Sequence, residues 1–136
     1  MEFVKVGLAM INSLSMFNNL YSQKKQAFVK QRYDEIYAHE LAHKSAAGTY
    51  GGAIVIEKDS NGIPVGGHVS IQMPTLDKKN PDKTIKHADT VIRAAMAPTD
   101  PSSQDYKVAA EARAIRSQAL AMKNDSRVGK KLDYQA

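Results

Sequence analysis

The sequence predicts an α+β domain made of a long helix, a β-hairpin and two further helices. Three observations predict it. Gln23 to Ala47 contains no Gly and no Pro, and Gly48 stands where a helix C-cap belongs. Ala53 to Lys58 and Val65 to Met73 are Ile- and Val-containing runs joined by Asp59-Ser60-Asn61-Gly62, where Asn-Gly supplies the positive φ of a tight hairpin. Asn80-Pro81 and Asp100-Pro101 each set a capping residue before a proline, which marks two helix starts.

Residues 1–22 come first. Phe3, Val6, Met10, Leu14, Phe17 and Tyr21 recur at spacings of three and four, with Lys5, Asn12, Asn19 and Gln23 opposite. Glu2 leads and Asn12, Ser13 and Ser15 interrupt, so neither a signal peptide nor a spanning helix is expected. The segment reads as an amphipathic helix that docks onto the domain, a second copy, another partner or a membrane surface. We therefore divide the chain into a helical extension over 1–27, a metal-binding domain over 28–123 and a polar basic tail over 124–136. The expected location is the cytoplasm, with export by another route left open.

The long helix carries His39-Glu40-Leu41-Ala42-His43, a His-Glu-x-x-His pattern. Four residues apart, the two imidazoles leave one face of a helix a turn apart, within reach of one Zn²⁺. Glu40 sits beside that face, placed to accept a proton from an attacking water and not to ligate. On a wheel centred on His39 the neighbours are Phe28, Ile36, Ala42, His43 and Ala46, which puts both histidines on the docking side. The pattern predicts a zincin-like domain.

Thr49 to Gly52 reads as a flexible link, followed by the two strands; Gly66-Gly67 precedes His68. In the helix after Pro81 the expected buried stripe is Ile85, Ala88, Ile92 and Ala95, with Pro98 as the stop and His87 on the solvent side. In the helix after Pro101, to about Lys123, it is Val108, Ala112, Ile115, Ala119 and Met122.

Composition narrows the chemistry. Cysteine is absent, so a zinc site must use His and carboxylate ligands. The net charge of +5 is spread among acids, apart from Lys24-Lys25 and the stretch from Arg127 to Lys131. No basic strand studded with aromatics and no recognition helix is present, so nucleic acid is not an expected partner.

A catalytic zinc site has three protein ligands and an open position. His68, Asp105 and Glu111 are the candidates for the third. His68 projects from a stiff strand beside two glycines. Asp105 has the plainer role of an acid in a helix's first turn. Glu111 borders the apolar stripe, about 60° from Val108. His68 is the first choice, then Asp105 and Glu111. Tyr50, Tyr106 and His87 are candidates for stabilising an oxyanion.

Residues 34–48 (Asp-Glu-Ile-Tyr-Ala-His-Glu-Leu-Ala-His-Lys-Ser-Ala-Ala-Gly), 65–71 (Val-Gly-Gly-His-Val-Ser-Ile) and 97–105 (Ala-Pro-Thr-Asp-Pro-Ser-Ser-Gln-Asp) together resemble the SprA-related family. That bacterial family is assigned as metalloproteases largely on its His-Glu-x-x-His pattern. The resemblance covers roughly residues 33 to 123. It implies a Glu or His, both competent for zinc, at the place of His68, and a less regularly acidic residue at the place of Glu111. The expected function is hydrolysis of peptide bonds in a peptide or protein substrate, with Zn²⁺ as cofactor and Glu40 as base. The rival is a non-enzymatic assembly protein whose histidines are structural or bind metal passively. A metal-dependent hydrolase of another substrate shares the site.

Overall fold

In the computed structural model, which describes residues 2–135 and the side chains of residues 10–125, one helix opens the chain. This helix, α1, runs Glu2–Ala47 without interruption. Nothing from residue 8 to residue 47 is Gly or Pro, so no position there carries the ~1 or ~3 kcal/mol that those residues cost a helix. The backbone accordingly has no break near residue 27. Gly48, at φ +57, ends the helix in the left-handed conformation that favours glycine.

A single 3-10 turn, Gly48–Tyr50, leads into β1 (Gly51–Lys58), which pairs with β2 (Pro64–Ile71) as an antiparallel hairpin. Gly51 and Gly52 are thus strand residues and not a flexible link. A Cβ on Gly52 would lie 3.3 Å from the Ser70 carbonyl oxygen, so the glycine is what lets the strands meet there. The connection is longer than an Asn-Gly two-residue turn. Asp59 Oδ1 accepts from the N–H groups of Asn61 and Ile63 at 2.8 and 3.0 Å, and the Asp59 N–H donates to the Ile63 carbonyl at 2.9 Å. The Asp59 side chain organises the loop, and Gly62 alone takes a positive φ, +77.

The chain forms two compact units, Met1–Ile36 with Ile56–Gly66, and Tyr37–Val55 with Gly67–Ala136. In the first unit, α1 leaves Met10, Leu14, Phe17 and Tyr21 exposed. Phe3 and Val6 lie outside the described side chains.

In the second unit α2 (Pro81–Ala95) packs against α3 (Ser103–Gln135). Asn80 caps α2, its side chain accepting from the Lys83 N–H at 3.4 Å, and Pro81 takes the first helical position, as the sequence predicts. The buried face of α2 is Thr84, Ala88, Val91, Ala94 and Ala95, displaced from the expected stripe, with Ile85 and Ile92 half-buried. Opposite them Ala109, Ala112 and Ala119 are buried, while Val108, Ile115 and Met122 are half-buried at the rim. Small side chains fill the seam because the helix backbones approach closely. Arg116 Nε donates to Asp89 Oδ1 at 2.6 Å and Lys123 Nζ to Asp82 Oδ1 at 2.7 Å, holding α3 along α2.

α3 continues to Gln135, through the stretch expected as a loose tail. Gly129 is its single helix-weakening glycine, and the surrounding Lys, Arg and Leu favour the helix. Among the described residues no helix is long and apolar enough to cross a membrane.

Candidate metal centre

The buried side of α1's last turns is Glu40, His43 and Ala47, at 6, 4 and 1 % exposure. It is not centred on His39, which is half-buried, and Phe28, expected on the docking side, is exposed. His43 owes its orientation to α2: its Nδ1–H donates to the Ala94 carbonyl at 2.7 Å. That bond fixes the tautomer and leaves the lone pair on Nε2. His43 Nε2 then lies 3.2 Å from His39 Nε2 and 3.1 Å from Asp105 Oδ1. His39 Nε2 lies 3.2 Å from Asp105 Oδ2, which closes a triangle.

Asp105 is held as firmly as the histidine. Ser102 and Asp105 form a capping box at the start of α3. The Ser102 N–H donates to Asp105 Oδ2 at 2.8 Å, and the Asp105 N–H donates to Ser102 Oγ at 3.2 Å. The capping residue is therefore Ser102, two residues beyond the expected Asp100. One carboxylate both caps α3 and faces two imidazoles. Reading Asp105 only as a first-turn charge misses this, although Ser-x-x-Asp is a legible capping pattern.

Does this set fit a metal? The converging atoms are His39 Nε2, His43 Nε2 and two carboxylate oxygens; with both imidazoles neutral, at most one polar hydrogen, from His39, is shared among them. Such a group of acceptors calls for a cation. Tetrahedral ligands ~2.0–2.1 Å from Zn²⁺ stand about 3.3 Å apart, close to the separations found here. Among the described residues, His39, His43 and Asp105 are the three whose ligand atoms gather in this way. The set fits.

His68, the first choice for the third ligand, is not in that group. It projects from β2 into the lining of the same cavity, where its charge bears on Glu40. The reason is chain geometry: the capped start of α3 already fills the third corner. Glu111 is exposed, outside the group and the lining. Among the candidates for the oxyanion, Tyr106 is exposed and Tyr50 stacks on His87, ring centroids 3.7 Å apart. His87, expected on the solvent side, is half-buried, and its Nε2–H donates to the Gln72 carbonyl at 2.8 Å. None of the three lines the cavity.

The cavity measures about 380 Å³, within the usual range for small sites. Val69, Ile71, Met73 and Val108 supply apolar wall, and His39, Glu40, His43, His68 and Asp105 the polar groups. Burial pushes the Glu40 carboxyl above its ordinary value. The positive charge that His43 and His39 can carry opposes this, and the Asp105 carboxylate adds to it. A carboxyl poised nearer neutrality is better suited to passing a proton than one ionised in water.

Removing the cap's side chain tests the positioning. Ser102→Ala takes away the Oγ acceptor and keeps the backbone donor, so unfolding free energy should fall by about 1 kcal/mol. Affinity for a divalent metal held by the triangle should fall by about 10-fold, the lower end for an outer-shell change. Thermal denaturation and chelator competition read the two effects.

The profile of the SprA-related family matches residues 18–128. No curated protein and no solved structure matches the chain.

Proposed function

The chain belongs to the SprA-related family, and we propose that it is a zincin-like, zinc-dependent metallopeptidase. One observation carries the reading: His39 Nε2, His43 Nε2 and the Asp105 carboxylate converge at 3.1–3.2 Å, with the buried Glu40 beside them on one cavity. Zn²⁺ held by those three residues would supply a Lewis acid that polarises a carbonyl and makes water acidic near neutral pH. Glu40 accepts the proton of the attacking water and returns it to the leaving amine, and burial raises its carboxyl pKa, the direction that this exchange favours. His43 and Asp105 need no rearrangement, since Ala94 and Ser102 already hold them.

A peptide substrate is supported by the strand beside the site. Among the described residues β2 pairs with β1 alone, and it contributes Gly67, His68, Val69 and Ile71 to the cavity lining. The unpaired edge of such a strand offers backbone groups to an extended chain. Two histidines and one carboxylate also suit non-haem Fe(II), but the Glu one residue after the first His belongs to the zinc pattern.

Elemental analysis of the purified chain, followed by a peptide-library digest, tests the proposal. About one zinc per chain and cleavage abolished by a chelator are the expected results. Iron in place of zinc, or a zinc-loaded chain that cleaves no peptide, would sink it.

A further inference from the structure

Beyond the metal site, α1 carries an exposed apolar face among the described residues. Met10, Leu14, Phe17, Leu20, Tyr21 and Phe28 are 50–70 % exposed. At 100° per residue all six lie within about 60° of Phe17 around the helix. Asn12, Ser15, Asn19, Ser22 and Gln26 lie on the opposite side. The hairpin tip of the same unit leaves the apolar face free. Residues Lys58, Asn61, Gly62 and Pro64 share a groove with Ser22, Gln26, Val29 and Tyr33, which sit about 120–180° away from Phe17.

We infer that this face is the dimer interface, and that a second copy of α1 lies across it antiparallel. Three features select that occupant. The first is spacing: positions 10, 14, 17, 21, 24 and 28 alternate steps of four and three, the seam of a helix that packs on another helix. The second is area. Aromatic side chains carry about 150–250 Å² each and Met and Leu somewhat less, so these six at this exposure offer on the order of 600–700 Å². A standard interface buries about 800 Å² a side.

The third is charge. Residues 6–23 contain no charged residue, so a second copy meets no like charge there. A helix lying on a membrane surface would instead be rich in Lys and Arg on its polar face. The seam's one interruption, Lys24, sets the direction. Parallel copies would press Lys24 against its own image. Antiparallel copies pair each position with the one that makes a sum of 38: Met10 with Phe28, Phe17 with Tyr21, and Lys24 with Leu14. There the lysine's stem covers a leucine and its head reaches water. Every seam residue but Leu14 meets an apolar side chain, Leu14 meets the lysine stem, and the two-fold axis crosses the seam between Phe17 and Tyr21.

The chain has no cysteine, so introduced thiols report this register cleanly. Under mild oxidation of the full chain, an equimolar mixture of Met10→Cys and Phe28→Cys should give covalent dimer, because only the antiparallel register brings these positions together. Neither variant alone should do so, since like positions then stand far apart. Sedimentation should show the wild type as a dimer. Phe17→Asp should weaken it by about 100-fold or more, and Asn19→Asp on the polar face should leave it intact. Unchanged circular dichroism would show that Phe17→Asp keeps its helices; if it does not, the thiol pair still decides. A monomeric wild type, a dimer indifferent to Phe17→Asp, or self-cross-linking of Met10→Cys would overturn the inference. So would a monomer that co-sediments with phosphatidylethanolamine–phosphatidylglycerol vesicles, which would assign the face to a membrane.

Discussion

His39→Ala and Asp105→Ala come off purification without zinc, and His68→Ala keeps its full complement: that is the expected result of metal analysis on the three variants. The triangle of His39 Nε2, His43 Nε2 and the Asp105 carboxylate requires it, since two of three ligands leave an open and weakly binding site. Changing an outer-shell partner costs about 10–100-fold in metal affinity, so loss of a ligand should cost at least about 100-fold. His39 is the cleaner choice of histidine. It is half-buried, whereas His43 is nearly enclosed and donates to the Ala94 carbonyl, so His43→Ala would also remove a buried hydrogen bond worth about 1 kcal/mol. Melting temperatures measured in the presence of chelator separate the two effects. If His68→Ala loses zinc and Asp105→Ala keeps it, the ligand set proposed above is wrong.

The contrast between His68 and Asp105 shows where the sequence stops speaking. The His39–His43 pair is legible because helix periodicity alone brings positions i and i+4 together, and the run without Gly or Pro guarantees the helix. Gly48, Asn80 and Pro81 are legible for the same reason: each answers a local backbone need. The third corner of the site is 62 residues further along the chain from His43, at Asp105, and its position depends on how α3 lies against α2. No period encodes that. The local pattern Ser102-x-x-Asp105 announces a cap, but not that the capping carboxylate also faces two imidazoles. Packing likewise shifts the buried stripe of α2 toward Thr84, Val91 and Ala94, since the alanines of α3 admit a closer seam than the larger Ile85 and Ile92 would allow. At the other end, amphipathic spacing shows that α1 has an apolar face without showing what meets it.

Glu40→Gln should keep its zinc and lose nearly all cleavage. The side chain is almost fully buried and borders the metal triangle without belonging to it, so an amide of the same shape leaves His39, His43 and Asp105 in place. What disappears is a group that can take up a proton and release it. General acid–base catalysis contributes about 10²–10⁴-fold, and kcat should fall by that factor. KM should move little, because the lost interaction belongs to the transition state and not to the bound substrate. Stability should change little too: burial already raises the Glu40 pKa, so the folded protein tolerates a neutral group at this position. Three measurements on one preparation decide the matter: zinc per chain, melting temperature, and cleavage of a peptide that the wild type cuts. A variant without zinc would make Glu40 a ligand. One that keeps zinc and cleaves as fast as the wild type would remove Glu40 from the chemistry, and the proton would then have to pass through another group on the cavity wall, of which His68 is the nearest in kind.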